Sequence, residues 1–115
     1  MTIFKKWSFN KCWKIGYITD VYDGDTVTVR LRIFCWFYDF KLRLAGINAP
    51  ELKDAGGREA GEFLKSLVFH KIVLIRFYKE EKYGRLLGKI YRFSKCPINK
   101  SMIDTGHAVE YFPVI

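Results

Sequence analysis

Three short stretches hold residue types that can handle a charged ester: Val21-Tyr22-Asp23-Gly24-Asp25-Thr26, Arg43-Leu44-Ala45-Gly46-Ile47-Asn48-Ala49-Pro50-Glu51 and Lys82-Tyr83-Gly84-Arg85. Between them they supply carboxylates, an amide oxygen and two guanidiniums, the groups that phosphodiester hydrolysis around a hard divalent cation requires. Such cations take oxygen ligands from carboxylates, amides, peptide carbonyls and water. Asp25, the side-chain oxygen of Asn48 and the backbone oxygen of Ala49 therefore form a candidate half-shell, with Asp23 supporting it from behind. Glu51, after Pro50 at the end of a strand-to-loop turn, is placed to take a proton from an attacking water as general base. Arg43 and Arg85 carry planar forks that grip two phosphate oxygens at once and oppose the charge that builds on five-coordinate phosphorus. Lys82 suits a phosphate and Tyr83 a base.

Taken singly, each residue has a plainer explanation. Asp-Gly dipeptides are common hairpin-turn chemistry, most glutamates are exposed loop carboxylates, a lone arginine is most often solvated, and Tyr83 can simply cover its turn. An EF-hand is excluded, because Asp20, Asp23 and Asp25 lack its ligand spacing. His70 and His107 are too few and too far apart in sequence for a zinc site.

The joint order is far more specific than its parts. DGDT, then R-L-x-G-I-N-x-P-E, then K-Y-G-R, with Gly106-His107-Ala108 further on, resembles the staphylococcal (thermonuclease-type) nuclease family over about residues 15–112. The resemblance implies a Ca²⁺-dependent OB-fold enzyme that cleaves DNA and RNA with little sequence preference and leaves 3′-phosphate ends. It implies a metal carboxylate at Asp25, a backbone metal ligand at Ala49, the general base at Glu51 and catalytic arginines at Arg43 and Arg85. Lys82 and Tyr83 match nucleotide-binding positions, and Tyr111 is taken with them as substrate-binding. Asn48 is the main departure, since the prototype has an aspartate there. An amide keeps the oxygen and loses one negative charge, so weaker Ca²⁺ binding, or use of another divalent ion, is expected. The chain also ends soon after Tyr111, so the prototype's final helix is expected to be missing.

Composition agrees with a polyanion as partner. Lys and Arg outnumber Asp and Glu by 20 to 12, a net charge of +8, which favours phosphate-rich ligands without proving one. With 115 residues, half of them hydrophobic, the chain can bury one core and not two. Cys12, Cys35 and Cys96 form neither a disulfide framework nor a zinc pair. The first fourteen residues, a basic aromatic extension ahead of a domain over 15–115, interleave lysines with Phe4, Trp7, Phe9 and Trp13 and contain no signal-peptide apolar region. No stretch is apolar enough to span a bilayer. A monomeric intracellular protein acting on DNA or RNA, with no membrane partner, is the expectation.

The positioning elements follow from periodicity. A first strand is predicted over 15–21, with Asp23-Gly24 as a hairpin turn and Asp25 just past it. Val27, Val29, Leu31 and Ile33 alternate with Thr26, Thr28, Arg30 and Arg32, and Phe40, Leu42 and Leu44 alternate with Lys41 and Arg43. Phe34-Cys35-Trp36-Phe37-Tyr38 carries no strong turn signal, which leaves that hairpin end undefined. Residues 46–50 read as a loop. A helix over 58–69 buries Ala60, Phe63, Leu64, Leu67 and Val68, with Gly61 weakening it while allowing close packing. Residues 72–75 read as a buried strand and 86–93 as another, with Gly88 marking a bulge. Asn99 is expected to cap a short helix through Thr105, Gly106 to follow it, and 109–115 to pack as an extended end. The order fits an α+β, mainly β chain: a five-stranded OB-type barrel with one longer and one short helix. Two other classes compete with the enzyme reading. One is a catalytically silent OB module binding single-stranded nucleic acid; the other is a protein-interaction domain using Trp7, Trp13, Trp36 and Phe37.

Overall fold

Val27, Val29 and Leu31 are fully buried and Ile33 nearly so, while Arg30 and Arg32 between them are exposed. That two-residue period is the inside and outside of a barrel wall. A computed structural model describes residues 12–80, 84–92 and 94–111. The elements are β1 (Cys12–Asp23), β2 (Thr26–Ile33), β3 (Trp36–Leu44), β4 (Ile47–Asn48), α1 (Gly57–Val68), β5 (Ile72–Glu80), β6 (Leu86–Tyr91), α2 (Ile98–Asp104) and β7 (Val109–Glu110). Five strands close in the order β1-β2-β3-β6-β5, with β3 and β6 parallel and the other pairs antiparallel. This is the expected OB-type barrel. Ile18, Val29, Leu42, Ile75, Phe77 and Ile90 fill it, and Ala60, Leu64 and Val68 of α1 join the same core. Among the described residues no helix is long and apolar enough to cross a membrane, and Cys12, Cys35 and Cys96 are not joined in a disulfide.

Several expectations are corrected. β1 begins at Cys12, where residues 12–14 pair with Phe77, Arg76 and Ile75 of β5. The 72–75 run is not buried on both sides: Val73 and Ile75 point inward while Ile72 and Leu74 lie exposed opposite Tyr17 and Ile15. A continuous apolar run hides its period when the outer face is apolar too. The bulge near Gly88 is carried by the partner strand, because Phe77 pairs with Gly88 and Lys79 with Leu87, leaving Tyr78 as the extra residue. The β2–β3 connection is the two residues Phe34-Cys35, with Phe34 at φ 57 and its carbonyl accepting from Arg32 Nε at 2.9 Å. No glycine or asparagine announces that turn, so sequence could not place it. Exposed Trp13, Trp36 and Phe37 are seen as expected, whereas Trp7 lies outside the described residues.

Asn99 does not cap α2. Pro97 occupies the cap position, and Asn99 is buried two residues further in. Its amide nitrogen donates to Ala45 O at 2.7 Å and Gly88 O at 3.3 Å, and its oxygen accepts from Ile90 N at 3.2 Å. A polar residue at a helix start has the look of a local cap, but the bonds of Asn99 are tertiary: it ties α2 to β6 and to the end of β3. Asn99→Ala strands these buried groups and is expected to cost about 1–3 kcal/mol; urea unfolding measures it, and an unchanged midpoint would contradict the assignment. Gly106 follows the helix in the expected place, with φ +81.

Candidate active site

The joint between β1 and β2 builds the acidic corner. Only Gly24 and Asp25 connect Asp23 to Thr26, so Asp25 stands in the turn itself rather than just past it. Gly24 is required by space: a Cβ there would lie 2.7 Å from Ala49 Cβ and 2.8 Å from Ala60 Cβ. The turn is thus pressed between the 48–51 segment and α1. Asp25 is buried, its Oδ1 accepting from Thr26 Oγ1 at 3.1 Å and its Oδ2 from Ala49 N at 3.0 Å. Asp23 Oδ1 accepts from Asp25 N at 3.1 Å, so Asp23 supports its neighbour through the backbone.

Strand pairing brings in the guanidiniums. Arg43 sits opposite Thr26 across the β2–β3 ladder, and Leu44 N donates to Asp25 O at 2.8 Å. Arg43 Nη2 lies 3.7 Å from Asp25 Oδ2 and donates to Ile47 O at 3.1 Å and Asn48 Oδ1 at 3.4 Å, while Nη1 donates to Leu44 O at 3.4 Å. Arg43, which alternation turns away from the core face, is therefore held in place by backbone carbonyls, with guanidinium donors to spare. Parallel pairing of Leu42 with Leu86 and Arg43 with Leu87 sets Arg85 at the same end of the barrel. The expected 46–50 loop contains a two-residue strand: Ile47 and Asn48 pair with Glu110 and Val109, and Tyr111 N donates to Gly46 O at 2.9 Å.

One cavity of about 340 Å³ collects Asp23, Asp25, Arg43, Asn48, Ala49, Glu51 and Arg85, together with Tyr22, Thr26 and Lys41. Tyr111 does not line it, but its ring centroid is 5.4 Å from the Arg43 guanidinium carbon. Lys82 and Tyr83 lie outside the described residues. A wider depression of about 710 Å³ shares Asn48, Ala49 and Glu51 and runs on to His107. Tyr22 and Lys41 went unremarked in the sequence; their signal was Tyr22 next to Asp23 and the outward phase that Lys41 shares with Arg43.

The matching family carries the description "Staphylococcal nuclease homologue" and spans residues 41–115. The chain belongs to that family. An "Uncharacterized endonuclease" of Escherichia coli O157:H7 is 34% identical over 99 residues, covering 84% of this chain and 60% of that protein. A "Micrococcal nuclease" of Shigella flexneri is 32% identical over 104 residues, covering 84% of the chain and 58% of its own length. "Staphylococcal-like nuclease CAN1" of Arabidopsis thaliana is 38% identical over 72 residues, 63% of this chain and 22% of the plant protein. The chain thus spans 60% or less of the length of each of these relatives. The staphylococcal-nuclease match begins at Lys41 and takes in Arg43, residues 48–51 and Arg85. The 23–25 turn precedes it, and folding is what brings that turn to the same pocket.

Burial, and then the neighbouring Asp25 carboxylate, push the Asp23 carboxyl up from 3.8 to about 6. The folded value lies above the unfolded one, so the folded chain holds this proton more tightly. The contribution to stability is full below about pH 4 and is lost as pH rises through about 6, on the order of 1–3 kcal/mol. Asp23→Asn keeps an oxygen for the Asp25 amide and removes that loss. In the absence of added cations its melting temperature is expected to exceed the parent's by several degrees near pH 8, with no gain near pH 4. Equal melting temperatures near pH 8 would contradict the assignment.

Proposed function

We propose that the chain is a divalent-cation-dependent endonuclease that hydrolyses phosphodiester bonds of DNA, RNA or both with little sequence preference. The observation that carries this reading is the convergence of Asp25, Arg43, Glu51 and Arg85, far apart in sequence, on one pocket, within a family whose relatives are named nucleases.

The donor set fits a hard cation. Asp25 and Asp23 are two buried carboxylates linked by the Asp25 N to Asp23 Oδ1 hydrogen bond, and a nearby cation would favour the charged form of Asp23 that burial disfavours. Asp25, Asn48 through Oδ1 and Ala49 through its carbonyl would hold the ion, with Asp23 behind. Among the described residues no group of three or more His, Cys, Asp or Glu could hold a metal unaided, so neutral oxygens, water and substrate phosphate must complete the shell. When bound, such a cation supplies Lewis-acid polarisation of a phosphoryl oxygen and charge neutralisation.

The chain's own groups do the rest. Glu51 is exposed at the pocket edge, 3.6 Å from Lys53 Nζ, and accepts the proton of the attacking water. Arg43, pre-set by the carbonyls of Leu44 and Ile47, and Arg85 beside it donate to the phosphoryl oxygens as charge builds there. Incubation of the pure protein with single-stranded DNA, with and without Ca²⁺ or Mn²⁺, tests the reading. Metal-dependent degradation is expected. Salt-sensitive binding with no cleavage under any cation would overturn it in favour of a binding module.

Asn48 sets the cation preference on this reading. Asn48→Asp adds one negative ligand and is expected to lower the Ca²⁺ concentration for half-maximal cleavage by about tenfold or more. An unchanged metal requirement would remove Asn48 from the ligand set.

A further inference from the structure

Tyr22 is the extra residue of a bulge in β1: Val21 pairs with Val27 and Asp23 with Thr26, so Tyr22 has no partner across the ladder. Bulges beside active sites re-aim side chains, and this one delivers a tyrosine to the rim of the pocket. The residue is 58% exposed, lines the pocket with Asp25, Arg43 and Arg85, and also borders an adjoining hollow of about 300 Å³ with Glu51 and Lys53. Lys41 Nζ sits 5.0 Å from the ring centroid and lines the same pocket. Holding an aromatic half in water gains little for folding, since an exposed cation–π pair contributes only weakly. An aromatic face next to a cation is, however, what a nucleotide needs: a surface for the base and a charge for its phosphate.

We infer that Tyr22 and Lys41 form a nucleotide subsite flanking the scissile phosphate, with the ring stacking on a base and the ammonium contacting the adjacent phosphate. Lys41 Nζ lies over the ring, and Tyr22 is exposed enough to receive a base. This deepens the hydrolase reading above, on which it rests, by naming the preferred substrate. A base can meet the ring only when it has left a duplex stack, so the subsite selects single-stranded or locally unpaired nucleic acid. Tyr22 is here a positioning residue for the strand and has no part in the chemistry.

The test combines three proteins (parent, Tyr22→Phe and Tyr22→Ala) with single-stranded oligonucleotides in which one abasic site is moved along the strand. Tyr22→Ala is expected to raise KM on intact single strands by about ten- to a hundredfold while keeping kcat; Tyr22→Phe keeps both. At one position next to the cleaved bond, the abasic site should penalise the parent and Tyr22→Phe but add nothing to Tyr22→Ala, the signature of a coupled pair. Equal abasic profiles for all three proteins, or an unchanged KM in Tyr22→Ala, would overturn the subsite. Fluorescence anisotropy with the same oligonucleotides separates the two claims. A parent that binds and never cleaves defeats the hydrolase reading, while the abasic profile of binding still decides the role of Tyr22.

Discussion

Glu51→Gln is expected to lower kcat by about 10²–10⁴ while leaving the melting temperature unchanged, because the general base proposed here contributes on that scale and this carboxylate is largely open to solvent. Its side chain is 67% exposed and its ion pair with Lys53 is 3.6 Å long and as open to water. Surface pairs of that kind contribute about 0–1 kcal/mol. The glutamine matches the glutamate in shape, so substrate affinity should persist and the loss should fall on turnover. Steady-state cleavage with thermal unfolding of the same sample separates the effects. Retained turnover would take Glu51 out of the proton-transfer step; a drop in melting temperature would show a structural role that its exposure denies.

The second large effect comes from a residue with no chemistry of its own. Gly57, at the start of α1, lies against the Glu51 backbone so closely that a Cβ there would overlap the Glu51 carbonyl. That carbonyl also accepts from Asp54 N at 2.9 Å, so the 51–56 loop is drawn tightly over the helix start. Gly57→Ala must push Glu51 away, with an overpacking cost of about 1–3 kcal/mol and a loss of turnover of about 10²-fold, the scale expected for misplacing a catalytic group by about 1 Å. Gly61, one turn on, is the internal control. A Cβ there meets Asp23 Cα at 3.6 Å, ordinary contact distance, so close packing does not require this glycine. Gly61→Ala should stabilise the chain by about 0.5–1 kcal/mol through helix propensity alone. Urea unfolding and cleavage rates of both variants check the contrast. A harmless Gly57→Ala would mean that the loop does not fix Glu51.

Much of this arrangement was legible beforehand where burial imposes a period. β2 and the second half of β3 alternate strictly, and α1 was placed within one residue at each end. The order of the acidic turn, the 43–51 segment and Arg85 was legible because the residue types are unusual together. What escaped was whatever depends on a distant partner. The 47–48 and 109–110 strands are too short to have a period and exist only because they pair with each other. Asn99 uses the vocabulary of a local cap, yet its bonds run to Ala45 and Gly88. Gly24 reads as turn chemistry but is demanded by Ala49 and Ala60. The bulge that aims Tyr22 leaves no mark in composition at all, because it is a property of register.

The central claim is that Arg43 and Arg85 act together on one phosphoryl group in the pocket they share with Asp25 and Glu51. Single-turnover cleavage by the parent, Arg43→Ala, Arg85→Ala and the double variant, at saturating cation, tests it most directly. Each single variant is predicted to lose about 10²–10³ in rate, and the double variant much less than the product of the two losses. Cleavage by the double variant at the parent's rate would contradict the account.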